Sequence, residues 1–403
     1  MKNILLSAKG GDITVWRAAT DFATAYRQAL LDLAASDHDS SSETVFQKTC
    51  TLLETATQDH NNLLEHLNGQ IREMATAPPH CRKEVTITFY NYLYRHFSHF
   101  RSVPIFYELS MAFLQQASAA IIAQARIQLG DSASALPEFA LIAVGPAGRH
   151  EYSPFCALQL LIVHDNTGTE GLRAIGLFSE KLHDGFEAAG LAPDQEVTPR
   201  NPEWRGTLAE WRLRCEAEEE HINPCRLADQ FSLYSGNHLG DDLKQISCAT
   251  LRANSSAVTN LVHRMTALSN GLGIMGRLKL EYGLFKLLDY GLLPFSASLS
   301  TLSLIKGSSS VSSSGRIYDL LMQQVLDVEL AERMLATWHD LHNLRLGLEQ
   351  FFEIDRKNDQ LLHLNPNELS PEQRQSLKEA LESVAIIQRH VEIIFSEMGN
   401  SAP

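Results

Sequence analysis

Residues 140–163 read Ala-Leu-Ile-Ala-Val-Gly-Pro-Ala-Gly-Arg-His-Glu-Tyr-Ser-Pro-Phe-Cys-Ala-Leu-Gln-Leu-Leu-Ile-Val. Two apolar runs of strand length flank a glycine turn that ends in Arg149 and Glu151. A turn of this kind lets backbone N–H groups approach phosphate oxygens without a Cβ in the way, and an arginine beside it adds a charged fork. Chemistry on a polyphosphate also needs a divalent cation held by carboxylates. On a strand, residues i and i+2 share one face, so two aspartates at that spacing would aim at one point. At the start of the second run those two positions are Ala157 and Gln159. Alanine has no ligand atom, and glutamine offers a neutral amide oxygen.

The segment resembles the catalytic motif of bacterial nucleotidyltransferases related to protein-PII uridylyltransferase. That motif runs roughly Gly-(Gly/Ser)-x-Gly-Arg-x-Glu, then five variable residues, Asp-x-Asp and an apolar strand. Gly145, Gly148, Arg149 and Glu151 fall on it, with Pro154 and Leu160-Leu-Ile-Val163. Pro146, Ala157 and Gln159 depart from it. Asn201-Pro-Glu-Trp-Arg-Gly-Thr-Leu-Ala-Glu-Trp211 is similar to the Asn-Pro-x-Trp-Arg…Trp segment of the family's signal-transduction branch. There a Phe-Asp-x-Arg strand follows, whose aspartate is a third acidic ligand; here the run is Phe231-Ser-Leu-Tyr234, leaving Ser232. Asp289-Tyr-Gly-Leu-Leu-Pro294, Ser314-Gly-Arg-Ile317 and Leu341-His-Asn-Leu-Arg-Leu346 look like the family's C-terminal helical domain.

The resemblance implies an α+β fold, mostly helical, with a central nucleotidyltransferase-like mixed sheet domain flanked by helical domains. The expected organisation is an N-terminal helical region (1–130), a nucleotidyltransferase-like domain (131–245) and a C-terminal helical bundle (246–403). It implies nucleotide contacts at Gly145, Gly148, Arg149 and Glu151. With Ala157, Gln159 and Ser232 at the acidic positions, the expectation is a degenerate enzyme with no catalytic or metal-binding set, acting in signalling by binding a nucleotide or a regulatory protein. The alternative is an active, magnesium-dependent transferase modifying a regulatory protein, which would recruit Glu151, Asp165 or Asp229. For Arg149 and Glu151 two readings stand open: phosphate contact, or an ion pair that pins the turn.

Local patterning supports the elements. The spacing of Val15-Trp16, Phe22, Tyr26, Leu30-Leu31 and Leu33 predicts a helix with one buried stripe, and Asp37–Ser42 a polar loop. A second helix is expected from Ser42 to the Pro78-Pro79 stop. Two more are expected over Lys83–Phe100 and Val103–Leu129, with Gly130 after the last. Strands are expected over Glu138–Val144 and Cys156–Val163, a helix over Thr169–Gly190, and a weaker strand near Phe231–Tyr234. Helices return from Asp241, interrupted by Gly307-Ser-Ser-Ser-Val-Ser-Ser-Ser-Gly315.

Composition narrows the partners. Against 34 Lys and Arg stand 48 Asp and Glu, a formal charge of −14 over 403 residues. Long-range repulsion makes nucleic acid an unexpected partner. The six cysteines are scattered without a C-x-x-C pair, which fits a reducing cytoplasm. No run approaches the ~20 apolar residues of a membrane span, and the N-terminal apolar run is short for a signal peptide.

Other chemistry-bearing residues have plainer readings. His96 and His99, and His339 and His342, each stand at i, i+3 without a third ligand nearby in sequence. Trp204 and Trp211, seven apart, suit one buried helical stripe, or a base stack. Glu216–Glu220 reads as a solvated acidic face. The serine-rich loop beside Arg316 reads as a flexible loop or a phosphate contact, and Cys156 as a buried small side chain.

Overall fold

The computed structural model describes residues 42–216, 227–236, 238–273, 276–354 and 361–400. The helix and loop expected before Ser42, Cys225 and most of Glu216–Glu220 lie outside them. Three helices come first: α1 (Ser42–Thr76), α2 (Arg82–Phe100) and α3 (Val103–Gln128). Pro78 stands between α1 and α2, where the missing N–H costs no helical bond. Ser102 accepts from the Ile105 N–H to start α3, and Gly130, at φ +55°, ends it in the left-handed region.

A four-stranded sheet follows in the order β3-β2-β1-β4. Its strands are β1 (Phe139–Val144), β2 (Gln159–His164), β3 (Arg205–Gly206) and β4 (Gln230–Ser235). β1 lies at the centre, antiparallel to β2 and β4, while β2 pairs in parallel with β3. Between β2 and β3 runs α4 (Thr169–Ala188). α5 (Leu208–Glu216) follows β3.

Alternation along β1 and β2 sends side chains to two apolar layers. Phe139, Leu141, Ala143, Leu160 and Ile162 join the large core with α3 and α4, whose contributions include Phe113, Ile121, Phe178 and Phe186. Ala140, Ile142, Val144, Leu161 and Val163 join a smaller core with Trp204, Trp211, Leu239 and Leu243. α3 is the only described helix long and apolar enough to cross a membrane, and 67% of its apolar window is buried in the protein. Its hydrophobicity serves the sheet.

The rest is helical: α6 (Leu239–Ala253), α7 (Ser255–Ala267), α8 (Leu293–Lys306, entered by a π turn), α9 (Ser313–Met322), α10 (Val328–Glu349) and α11 (Pro371–Asn400). The two-residue strands β5 (Phe285–Lys286) and β6 (His363–Leu364) pair outside the main sheet. The fold is thus α+β and mostly helical, as the motif order implies.

Two local expectations need correction. Ala157 is not on a strand: a turn closed by the Cys156 N–H on the Ser153 carbonyl (3.0 Å) delays β2 to Gln159, and Ala157 is left exposed. Trp204 and Trp211 do not share a helix. Pro202–Trp204 is a 3-10 turn capped by Asn201, and β3 intervenes before α5. The two rings nonetheless meet in one core, 6.2 Å apart. The Trp211 indole also donates to the Ile162 carbonyl at 3.2 Å, which ties α5 to β2.

Trp211 is fully buried, so Trp211→Ala is expected to cost about 3–5 kcal/mol. Urea unfolding followed by far-UV circular dichroism measures it.

Candidate functional site

The turn after β1 is one helical turn, Gly145–Gly148, and glycine is needed at both ends. Gly145 has φ +63°, and a Cβ there would lie 2.5 Å from Gln159 Oε1. At Gly148 a Cβ would collide with the Asp229 backbone carbonyl, just before β4. The turn is thus pressed between β2 and the approach to β4.

Around it the three acidic positions of the motif lie apart. β1/β2 pairing sets Gln159 beside Val144, and β1/β4 pairing sets Ser232 beside Ile142. Both therefore occupy the second sheet face, on either side of β1. Ser232 is packed under the first turn of α6, where a Cβ on Gly240 would strike its hydroxyl. Gln159 donates from Nε2 to Asp194 Oδ2 at 3.1 Å. Asp194 Oδ1 accepts the N–H groups of Glu196 and Val197, at 2.8 and 2.9 Å. The Asp194 contact is not legible in the sequence; the chain brings it by pairing Pro193 with Leu158 at the start of β2.

Arg149 and Glu151 form the ion pair. Arg149 Nε donates to Glu151 Oε2 at 3.0 Å, and Nη1 to Asp229 Oδ2 at 2.7 Å. Their side chains are nearly buried, with 13% of Arg149, 3% of Glu151 and 6% of Asp229 exposed. Asp229 is shared: its Oδ1 accepts from Arg316 Nη1 and from Ser300 Oγ, the latter at 2.8 Å. Arg316 Nη2 also donates to the Ala228 carbonyl at 3.0 Å. Asp165, the other acid considered for an active enzyme, is exposed at the far end of β2.

Glu151 Oε1 belongs to the C-terminal helices. It accepts from Ser313 Oγ at the start of α9 and from the Trp338 indole of α10 at 2.9 Å. His342 Nε2 stands 3.6 Å away, beyond a hydrogen bond, and its Nδ1 lies 2.7 Å from the Tyr107 hydroxyl of α3. One helical turn on, Arg345 donates to Glu349 Oε1 and to Ser153 Oγ, both at 2.8 Å, and contacts Cys156 Sγ. Glu349 also accepts from Ser153 at 3.0 Å and from the Tyr94 hydroxyl at 2.7 Å. Three guanidinium groups and three carboxylates thus join the sheet to α2, α3, α8, α9 and α10. The segments that resemble the family's C-terminal domain supply Arg316, His342 and Arg345. Cys156, half-buried, sits at the edge of this network.

The serine-rich loop is drawn in as well. Asp319 Oδ2 accepts from Ser308 Oγ and the Ser310 N–H, at 2.8 and 3.0 Å, while Ser312 caps α9. His339 meets its neighbour Asp340. Among the described residues, no three His, Cys, Asp or Glu side chains form a group fit to hold a metal ion.

The charge states follow from the contacts. Burial alone would raise the Glu151 carboxyl, but Arg149, then His342 and Ser313, outweigh it and hold it well below its ordinary 4.5. Burial would lower Arg149, yet Glu151 and Asp229 reverse that and raise it. Burial lowers the His342 pKa, and Glu151 opposes that shift. A carboxylate with a depressed folded pKa stabilises above its unfolded value, and that contribution is lost as the pH falls. Stability should therefore decline as the pH drops below about 4.5, the carboxyl's ordinary range. Glu151→Gln is expected to cost about 3–5 kcal/mol at pH 7 and to flatten the acid limb. Thermal unfolding across pH 3–7 (roughly the carboxylate window) checks both.

Comparison with known families agrees with this geometry. A family model described as "Putative nucleotidyltransferase DUF294" matches residues 89–224. A second, "Putative nucleotidyltransferase substrate binding domain", matches residues 255–395. No curated protein matches the chain. The first match carries the glycine turn, Arg149 and Glu151, and the second carries Ser313, Trp338 and Arg345, which bind Glu151; the chain belongs to this nucleotidyltransferase family, with its C-terminal domain.

Proposed function

We propose that the chain is a degenerate member of its family, acting in regulation by binding a nucleotide or a protein partner instead of transferring a nucleotidyl group. The observation that carries this reading is the donor set on the motif face. The three acidic positions hold a methyl group (Ala157), an amide (Gln159) and a hydroxyl under a helix (Ser232). Magnesium takes hard, preferably anionic oxygens, and this set does not fit it. Of the nearby carboxylates, Glu151 and Asp229 are already neutralised by Arg149 and Arg316, and Asp194 accepts from Gln159 and two backbone N–H groups.

Gly145, Gly148, Arg149 and Glu151 are the proposed nucleotide-facing residues. Phosphate would have to draw Arg149 from two carboxylates, which explains in advance a weak affinity in a chain of charge −14. The same competition supplies a signal. A ligand that turns Arg149 outward loosens Glu151 and Asp229, and through them Ser313, Trp338 and Arg316 of the C-terminal helices. The alternative, an active transferase modifying a regulatory protein, would need a carboxylate cluster assembled from elsewhere.

Purified protein incubated with Mg²⁺ or Mn²⁺, each labelled NTP and candidate acceptor proteins is expected to show no metal-dependent labelling. Robust labelling lost on Glu151→Gln would overturn the degenerate reading. Calorimetry with ATP, UTP and cyclic dinucleotides is expected to give weak, saturable binding that Arg149→Met weakens further. No heat with any of them would leave protein binding as the function.

A further inference from the structure

A glycine in a phosphate-facing turn leaves open the volume that a side chain would fill, and a phosphate oxygen reaches the backbone through that opening. In this chain the opening at Gly145 is taken. A Cβ built on Gly145 would lie 2.5 Å from Gln159 Oε1 and 3.5 Å from Gln159 Cδ. The carboxamide of Gln159 therefore occupies the space that the missing side chain provides. Pairing of β1 with β2 sets Gln159 opposite Val144, the residue just before the turn, so the amide reaches Gly145 without strain on either strand.

Asp194 fixes the amide there. Gln159 Nε2 donates to Asp194 Oδ2 at 3.1 Å, and Asp194 cannot follow a moving partner. Its Oδ1 accepts the N–H groups of Glu196 and Val197. Its backbone is tied on both sides of Gln159: the Asp194 N–H donates to the Leu158 carbonyl at 2.9 Å, and the Leu160 N–H donates to the Val197 carbonyl at 3.0 Å. The acceptor is preorganised, so it costs little entropy to keep the amide in place. Gln159 is only half-buried and has a solvent side into which it can turn once that bond is broken.

We propose that Gln159 is an intramolecular gate on the glycine turn: latched to Asp194 it closes Gly145 to phosphate, and swung outward it opens it. The gate rests on the nucleotide reading given above and adds the step that controls it. A polyphosphate has two sets of contacts to undo, the ion pairs of Arg149 and the latch of Gln159. The first is set by buried charge. The second is neutral, stands at the surface and acts on the phosphate itself, whatever base is attached.

The test is calorimetry of the full chain with ATP and with inorganic tripolyphosphate, on wild type and on Gln159→Ala. The substitution leaves the net charge unaltered and falls at the half-buried first residue of β2. It is expected to tighten both ligands roughly tenfold, the weight of one hydrogen bond to a charged acceptor that binding no longer has to break. A merely structural role for Gln159 would weaken binding or leave it alone. Adding Gly145→Ala to Gln159→Ala refills the same space with a methyl group and should cancel the gain, with thermal unfolding to establish that both variants are folded. Equal affinity of wild type and Gln159→Ala would overturn the gate while leaving nucleotide binding intact. No heat from either protein would overturn the gate and the nucleotide reading together.

Discussion

A buried charge must be matched where it stands, and this requirement organises the centre of the protein. Arg149, Arg316 and Arg345 face Glu151, Asp229 and Glu349 with little water present. Stripping water from six charged groups costs several kcal/mol per ion, recovered only if nearly every lone pair and proton finds a partner. Serines 153, 300 and 313, Trp338, Tyr94 and the Ala228 carbonyl supply those partners. They come from the sheet domain and from helices on both sides of it in sequence. The network therefore defines how the parts fit, because any other arrangement would leave a guanidinium or carboxylate unmatched.

The turn at Gly145–Gly148 sits inside this arrangement. Its own backbone is confined by Gln159 above one glycine and the Asp229 carbonyl against the other. Of the side chains that follow it, Arg149 reaches Asp229 beside β4 and Glu151 reaches Ser313 and Trp338 of the C-terminal helices. A segment that resembles a phosphate grip thus also works as a joint. Under the proposed function the two roles would compete for the same guanidinium, and a phosphate at the turn would be felt by the distant helices.

Some of this is readable in the sequence because it is local. The glycine turn between apolar runs, the proline stop near residue 78 and the left-handed Gly130 follow from backbone preference and side-chain periodicity. Ala157 is misplaced because the Ser153–Cys156 turn gives no apolar or polar signal that distinguishes it from the start of a strand. Trp204 is misplaced because a spacing of seven suits a helix, while Asn201-Pro202 imposes a capped turn first. For Arg149 and Glu151, the ion pair is readable from their spacing, but its extension is not. Glu151 meets Ser313 and Trp338 across 162 and 187 residues of chain, and no periodic pattern encodes contacts of that reach. Resemblance points to the stretches holding Arg316 and Arg345 without saying what they touch.

The hydrogen bond between Gln159 and Asp194 bears on whether the motif face can take a carboxylate at this position. Gln159→Asp would replace a donor by an anion and set it toward a second anion whose other oxygen is held by two backbone amides. Like charges at that range repel, and the shorter side chain would also uncover Gly145. The repulsion would fade only if a cation arrived between them at once. Gln159→Asp is therefore uphill while no cation stands between the two carboxylates, so the neutral amide at this position is what lets the Asp194 turn seat against β2.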